Sequence, residues 1–293
     1  MLILPMNNIK IKNMTNYEIK QRSEIENWKK EEPGVVSEIT GYIFQPVSWL
    51  VRQIIPEKAF QSAIESCNGM SKKLINFEDF KKEANISKIE DMKNKDLQFC
   101  DDMADEIHNW AIGYAMTEGA AAGAGGVFTI AADIPFIITL AFRTINKIGL
   151  CYGFEEKTEA DKQRILQIMS AAGANTMKEK TLSLATLKAI QVTIAKTTWK
   201  KMAQTAATNQ FSKEAAILSM KSLAKQLGVN LTKRKALQVV PAVGAGVGAL
   251  MNRQFITDIS WAARRTFQEA WLNEKYDTIE FYDYEEINNN FKR

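Results

Sequence analysis

Three carboxylates, Asp101, Asp102 and Asp105, stand in the string DDMADE at the spacing D-D-x-x-D. On a helix this spacing brings carboxylates to one face, the arrangement that holds Mg²⁺ and a diphosphate in isoprenoid synthases. That chemistry requires a second acidic motif opposite the first, and the sequence contains none. The plainer reading places these residues at a helix N-terminus, where the backbone dipole favours negative charge. His108, the single histidine, lies beside Trp110. A general base needs a partner within hydrogen-bond reach; no serine or cysteine is tied to His108 by motif, so a structural histidine is expected. Cys67, Cys100 and Cys151 are widely spaced, which indicates neither a disulfide framework nor a zinc site and fits a reducing, cytoplasmic setting. Nucleophile elbows, H-E-x-x-H and paired CxxC motifs are absent. The reading therefore assigns no catalytic residue, no metal and no cofactor, and leans away from an enzyme.

Two glycine-rich segments are the other candidates for chemistry. The first is GAAAGAGGVFTIAADIPF, residues 119–136, and the second is PAVGAGVGALMN, residues 241–252. A phosphate cradle needs glycines between a strand and a helix. Neither segment follows a β-branched run, and neither matches G-x-G-x-x-G or ends in G-K-[ST]. A membrane span needs about 20 apolar residues. Gly119 to Ala132 is uncharged for fourteen residues before Asp133, and nine more precede Arg143. A single span would bury Asp133 in hydrocarbon and place Pro135 inside the helix. A break with Asp133 as N-cap and Pro135 in the following first turn resolves both problems. The segment then reads as a hairpin of two helices. Gly119, Gly123 and Gly126 provide the small-residue spacing that permits close helix approach, as do Gly244 and Gly248 after Pro241. That hairpin serves equally as a partial dip into a bilayer and as the tight centre of a bundle.

The elements around these motifs are helical. Few prolines and tyrosines, with abundant Ala, Lys, Ile, Leu and Met, favour helix over sheet; the fold class is all-α, a multi-helix bundle with two Gly-rich apolar helical hairpin segments. Residues 1–33 read as a polar N-terminal arm with one short helix near Glu18 to Lys30, closed by Pro33 and Gly34. The start MLILPMNNIKIK lacks the basic and apolar regions of a secretory signal. The charged stretch Lys72 to Asp96 reads as surface loops. A long helix is expected from near Asp101 into the glycines, a stop at Tyr152-Gly153, a helix opened by EEKTEADKQR, amphipathic helices over 182–227, and a last helix from about Phe255 to Trp271. Residues 34–272 make the helical domain. Residues 273–293, with six acidic and three basic residues, form an acidic, Tyr-containing tail.

Charge separates along the chain. Between Lys188 and Lys235 there are ten Lys or Arg and one acidic residue, Glu214, a net +9 in a chain whose total is +4. Lys188, Lys196, Lys200, Lys201, Lys221, Lys225, Lys233, Arg234 and Lys235 are the candidates for contact with an anionic lipid surface, where each contributes about 1 kcal/mol. A solvated lysine face is the alternative. Nucleic acid is disfavoured, since few aromatics are interleaved with the lysines.

The run G-A-G-G-V-F (123–128), then D-I-P (133–135), Arg143, and Cys151-Tyr152-Gly153 resembles the bacterial EcsC protein family. Its second element is similar to Pro241, Gly244, Gly248 and Asn252. The resemblance spans about residues 40–272. It implies an α-helical protein encoded alone or beside an ABC transporter, acting peripherally at the inner face of the cytoplasmic membrane, with no catalytic residues to carry over. Its partners would be an anionic membrane surface or an integral, transporter-like membrane protein. Two other functions fit the sequence: an enzyme or carrier for a lipid-like ligand held in a helical cavity, and a soluble scaffold or regulatory protein that docks through its tail.

Overall fold

The computed structural model describes residues 13–33, 57–124, 130–174, 176–203 and 244–276. Among them there are eight α-helices and one 3₁₀ helix, with no strand. The α-helices are α1 (Asn16–Lys30), α2 (Glu57–Lys73), α3 (Phe77–Glu83), α4 (Leu97–Ala124), α5 (Ile130–Cys151), α6 (Glu159–Ala172), α7 (Met177–Ala203) and α8 (Gly244–Lys275); the 3₁₀ helix is Ile89–Asn94. The fold is all-α, as composition implies.

The two longest helices, α4 and α8, form the centre. Along α4 the buried positions Leu97, Cys100, Ala104, Ala111 and Ala115 recur at three, four and seven residues, the period of one helix face. On α8 the matching face is Ile256, Ile259, Ala263, Phe267 and Ala270. The alanines bring the two backbones close, and contacts that pair Asp105 with Arg264 and His108 with Trp261 show that the helices run antiparallel. α5 lies antiparallel to α4, since Trp110 meets Arg143 and Tyr114 meets Phe136. Its apolar face of Ile137, Ile138, Ala141, Phe142, Ile145 and Ile148 is buried. α2 covers α5, α6 packs on α8 and α7, and α1 lies across α8.

Local chemistry sets the boundaries. Thr15 caps α1 in a reciprocal box with Glu18, and Thr158 caps α6 in the same way with Asp161, so each helix start satisfies two orphan N–H groups. Gly153 adopts φ 81°, the left-handed conformation that ends a helix, and the stop expected at Tyr152-Gly153 is found.

Several expectations are corrected. α5 begins at Ile130, so Asp133 is not its N-cap but lies in the first turn, and Pro135 is the sixth residue, inside the helix. Proline is tolerated there because its ring meets only a first-turn carbonyl and a single ladder bond is lost. The Pro135 carbonyl is held by Thr139 Oγ1 at 2.7 Å and Cys67 Sγ at 3.6 Å. Gly244 and Gly248 lie in the opening turns of the 32-residue helix α8, which continues to Lys275, and the residues just before it, 204–243, which would complete the second hairpin, fall outside the described residues. The stretch Lys72 to Asp96 holds α3 and the 3₁₀ helix, with Phe80, Ala84, Ile89 and Met92 buried.

Candidate functional site

The acidic string does not assemble a metal site. Asp101 is fully buried, Asp102 is exposed, and Asp105 pairs with Arg264. No cluster of metal-ligating side chains occurs among the described residues. Nor does Asp101 serve a helix start, because α4 begins four residues earlier at Leu97. It is instead the centre of a junction. Its carboxylate accepts hydrogen bonds from Tyr152 Oη at 2.5 Å, Tyr17 Oη at 2.7 Å and Gln268 Nε2 at 2.7 and 2.9 Å. The Arg264 guanidinium lies 3.7 Å away. Four parts of the chain meet there: α1 through Tyr17, α4 through Asp101, the end of α5 through Tyr152, and α8 through Arg264 and Gln268.

The electrostatics follow from burial and from that carboxylate. Burial and then Asp101 raise the hydroxyl pKa values of Tyr17 and Tyr152 well above the ordinary tyrosine value, so both remain donors. Burial works against the Arg264 charge, but Tyr152, Asp101 and Asp105 together raise its pKa. Arg265, next to it, donates to Gln21 at 2.9 Å and to Gln268 at 3.0 Å. His108 stands edge-on to Trp261 with centroids 5.6 Å apart. Burial lowers its pKa, Asp105 opposes that, and Arg264 adds to it. His108 thus packs at the contact between α4 and α8. Each Asp101 oxygen already has donors, so the junction offers no free base or nucleophile; it holds helices together.

A second feature lies on the outer face of α4 and α5. Trp110 and Tyr114 are exposed and stacked, and the Arg143 guanidinium sits 4.4 Å over the Trp110 ring. Arg143 Nε donates to the Leu74 carbonyl at 3.2 Å. Arg143 thus ties the middle of α5 to the turn that follows α2 and to Trp110 on α4.

The remaining candidates are dispersed. Gly119 and Gly123 are in the last turns of α4, while Gly126 and Pro241 fall outside the described residues. Lys188 is exposed on α7, Lys196, Lys200 and Lys201 follow along the same helix, and Lys221, Lys225, Lys233, Arg234 and Lys235 fall outside the described residues. All three cysteines are free and buried. Asn252 is fully buried with both amide atoms unpartnered, a cost of about 1–3 kcal/mol per group. The clefts between helices include one of about 590 Å³ between α1 and α8, with Glu24, Glu31, Glu32, Lys180 and Asp258 on its walls, and one of about 760 Å³ beside α3 lined by Lys81, Lys82, Asn85 and Asp91. The walls of the first cleft also include Trp28, Pro33, Ala171, Ala172 and Trp261, so its lining is mixed, whereas charged and polar side chains dominate the second.

The sequence pattern of the EcsC protein family matches residues 19–272. The chain belongs to the EcsC protein family. Two relatives agree: uncharacterized protein YdbA of Bacillus subtilis (strain 168) is 23% identical over 272 residues, covering 89% of this chain and 94% of the relative. Protein EcsC of the same organism is 21% identical over 160 residues, 55% of this chain and 58% of its own length. No solved structure matches. Within this EcsC chain the geometry explains the closing Tyr152-Gly153: Tyr152 reaches Asp101, and Gly153 takes a conformation with no room for a side chain. Sequence reading missed Tyr17, Arg264 and Gln268. The available signal was the recurrence of polar Arg264 and Gln268, one turn apart, between the apolar positions Ala263, Phe267 and Trp271 of α8.

Proposed function

We propose that this EcsC-family protein is a non-enzymatic, peripheral component of a membrane surface, held by electrostatic attraction to anionic lipid. The observation that supports this reading is the +9 charge between Lys188 and Lys235, within a chain of total +4, which leaves the rest of the chain at −5. That segment contains one acidic residue, so it cannot neutralise itself. The helices of the core pair many charges with one another, as in Lys29–Glu269, Lys93–Glu274 and Lys275–Glu18. A basic segment of this composition gains about 1 kcal/mol per Lys or Arg near anionic lipid, within a Debye length of about 8 Å at physiological salt. Among the described residues no helix is long and apolar enough to cross a membrane, in keeping with surface association.

Flotation with vesicles tests this. The protein is expected to float with anionic vesicles at low salt and to be released as salt rises, while neutral vesicles lack the salt-dependent component. Absence of binding to anionic vesicles at low salt would overturn the reading.

A further inference from the structure

The outer face of α4 and α5 carries side chains for which the core has no use. Trp110 is 45% exposed and Tyr114 42%, and their rings stack with centroids 5.0 Å apart and planes 16° from parallel. Leu74, beside them through its contact with Arg143, is 53% exposed. Arg143 covers the Trp110 ring through its guanidinium and spends only Nε on the protein, in the bond to the Leu74 carbonyl. Lys147 follows one turn later on the same face of α5. Burial and the nearby Arg143 charge hold its amine below the ordinary lysine range, with Cys151 and Glu83 acting in the other direction. No carboxylate forms an ion pair with Arg143 or Lys147 among the described residues. The surface therefore combines two amphipathic aromatic rings, an exposed leucine and two cations that form no ion pair among the described residues.

Each component matches one layer of a phospholipid surface. Tryptophan and tyrosine have an apolar body and a polar tip, and they settle where hydrocarbon meets headgroup water. An arginine fork with free N–H groups complements a phosphodiester in two directions. Beyond Tyr114, α4 continues to Ala124, and α5 enters from Ile130. In the sequence the uncharged run 119–132 is bracketed by Glu118 and Asp133, so contact is placed at the headgroup level.

We propose that this face is a phospholipid-binding collar, with Trp110 and Tyr114 at the headgroup boundary and Arg143 and Lys147 on the headgroup phosphate. It rests on the membrane-surface reading above and names a contact that the basic segment does not supply.

The test compares the full chain with a Trp110→Ser/Tyr114→Ser variant on two vesicle types. Neutral phosphatidylcholine vesicles with brominated acyl chains report on the collar; anionic phosphatidylglycerol vesicles over a salt series report on the basic segment. Thermal melts by circular dichroism establish that each variant is folded. On brominated vesicles the wild-type tryptophan emission is expected to be quenched, and binding to persist at about 1 M salt, where the Debye length is about 3 Å. The double variant is expected to bind these vesicles at least about ten-fold more weakly and to lose the quenching, since its interfacial rings are gone. Arg143→Gln is expected to weaken binding to phosphatidylcholine but not to vesicles of an uncharged, phosphate-free glycolipid. Equal quenching and retention for wild type and double variant would overturn the collar and leave the salt-dependent anionic binding standing. The reverse result, neutral binding without a salt-dependent anionic component, would overturn the basic-segment reading and leave the collar. A wild-type protein that binds neither vesicle overturns both.

Discussion

Asp101 keeps a carboxylate out of water, and that burial is tolerated only because three donors and a guanidinium converge on it. Removing one member of such a set leaves the others buried without a partner, which costs about 3–5 kcal/mol. Asp101→Asn is expected to destabilise the fold by that amount, because Arg264 then faces a neutral amide whose N–H₂ group competes with Tyr17, Tyr152 and Gln268 for acceptors. A urea midpoint close to wild type would exclude the junction as the keystone. Gly153 is constrained by space as well as by φ. A Cβ built on it lies 2.6 Å from Lys93 Cγ and 3.2 Å from the Lys93 nitrogen. The left-handed conformation alone costs a non-glycine residue about 1–2 kcal/mol. Gly153→Ala is expected to lower stability by at least that amount, and chemical denaturation measures it. The sequence marked Gly153 as a helix stop because glycine is common after a helix. It gave no sign of Asp101's role, because the residues that satisfy it come from positions 17, 152, 264 and 268.

The long helices were legible because their apolar residues keep a period near 3.6 over many turns, as Leu97 through Ala115 do on α4. α3 has only seven residues and the 3₁₀ helix six, too few for periodicity to emerge from their lysines and glutamates, although Phe80 and Met92 anchor them in the core. The α4–α5 boundary was misplaced for a different reason. A proline was read as the sign of a helix start, whereas its ring requires only that the carbonyl four residues before it be free to yield. Close packing between elements can be tested at Gly149 on α5, where an added Cβ would lie 3.0 Å from the Phe267 ring and 3.0 Å from the Phe154 carbonyl. Gly149→Val is expected to push α5 from α8 and to destabilise by about 1–3 kcal/mol, the usual penalty for overpacking. Gly123→Leu is expected to act in the same direction at the far end of α4, and a melt equal to wild type would remove its packing role.

Across the whole molecule, buried titratable groups on α1, α4 and α8 make stability depend on pH with opposing signs. Burial opposes the charge of Glu18, but the Lys275 ammonium, the Thr15 N–H and the Tyr276 hydroxyl outweigh it, so its pKa is lowered. Its contribution is complete above the ordinary glutamate value of about 4.3 and is lost as pH falls through its folded value. Burial lowers the pKa of His108, so its neutral form favours folding and that support is lost as pH falls below about 6.5. Asp258 acts in the other direction. It lines the cleft between α1 and α8, and burial raises its pKa to about 6, with Glu31 adding to the rise while Gln254 and Lys180 oppose it. Between its ordinary value of 3.8 and about 6 the folded chain holds a proton that the unfolded chain releases. Stability therefore declines as pH rises through that window, and above it the full penalty applies, at most about 3 kcal/mol. Asp258→Asn removes the charge and retains the shape, so it is expected to raise the melting temperature at pH near 7.5. That gain should shrink as pH falls through 6 and vanish near 4, where aspartic acid and asparagine carry the same charge. A gain independent of pH would assign the effect to packing, and a loss at neutral pH would mean that the ionised Asp258 has a stabilising partner in the folded chain.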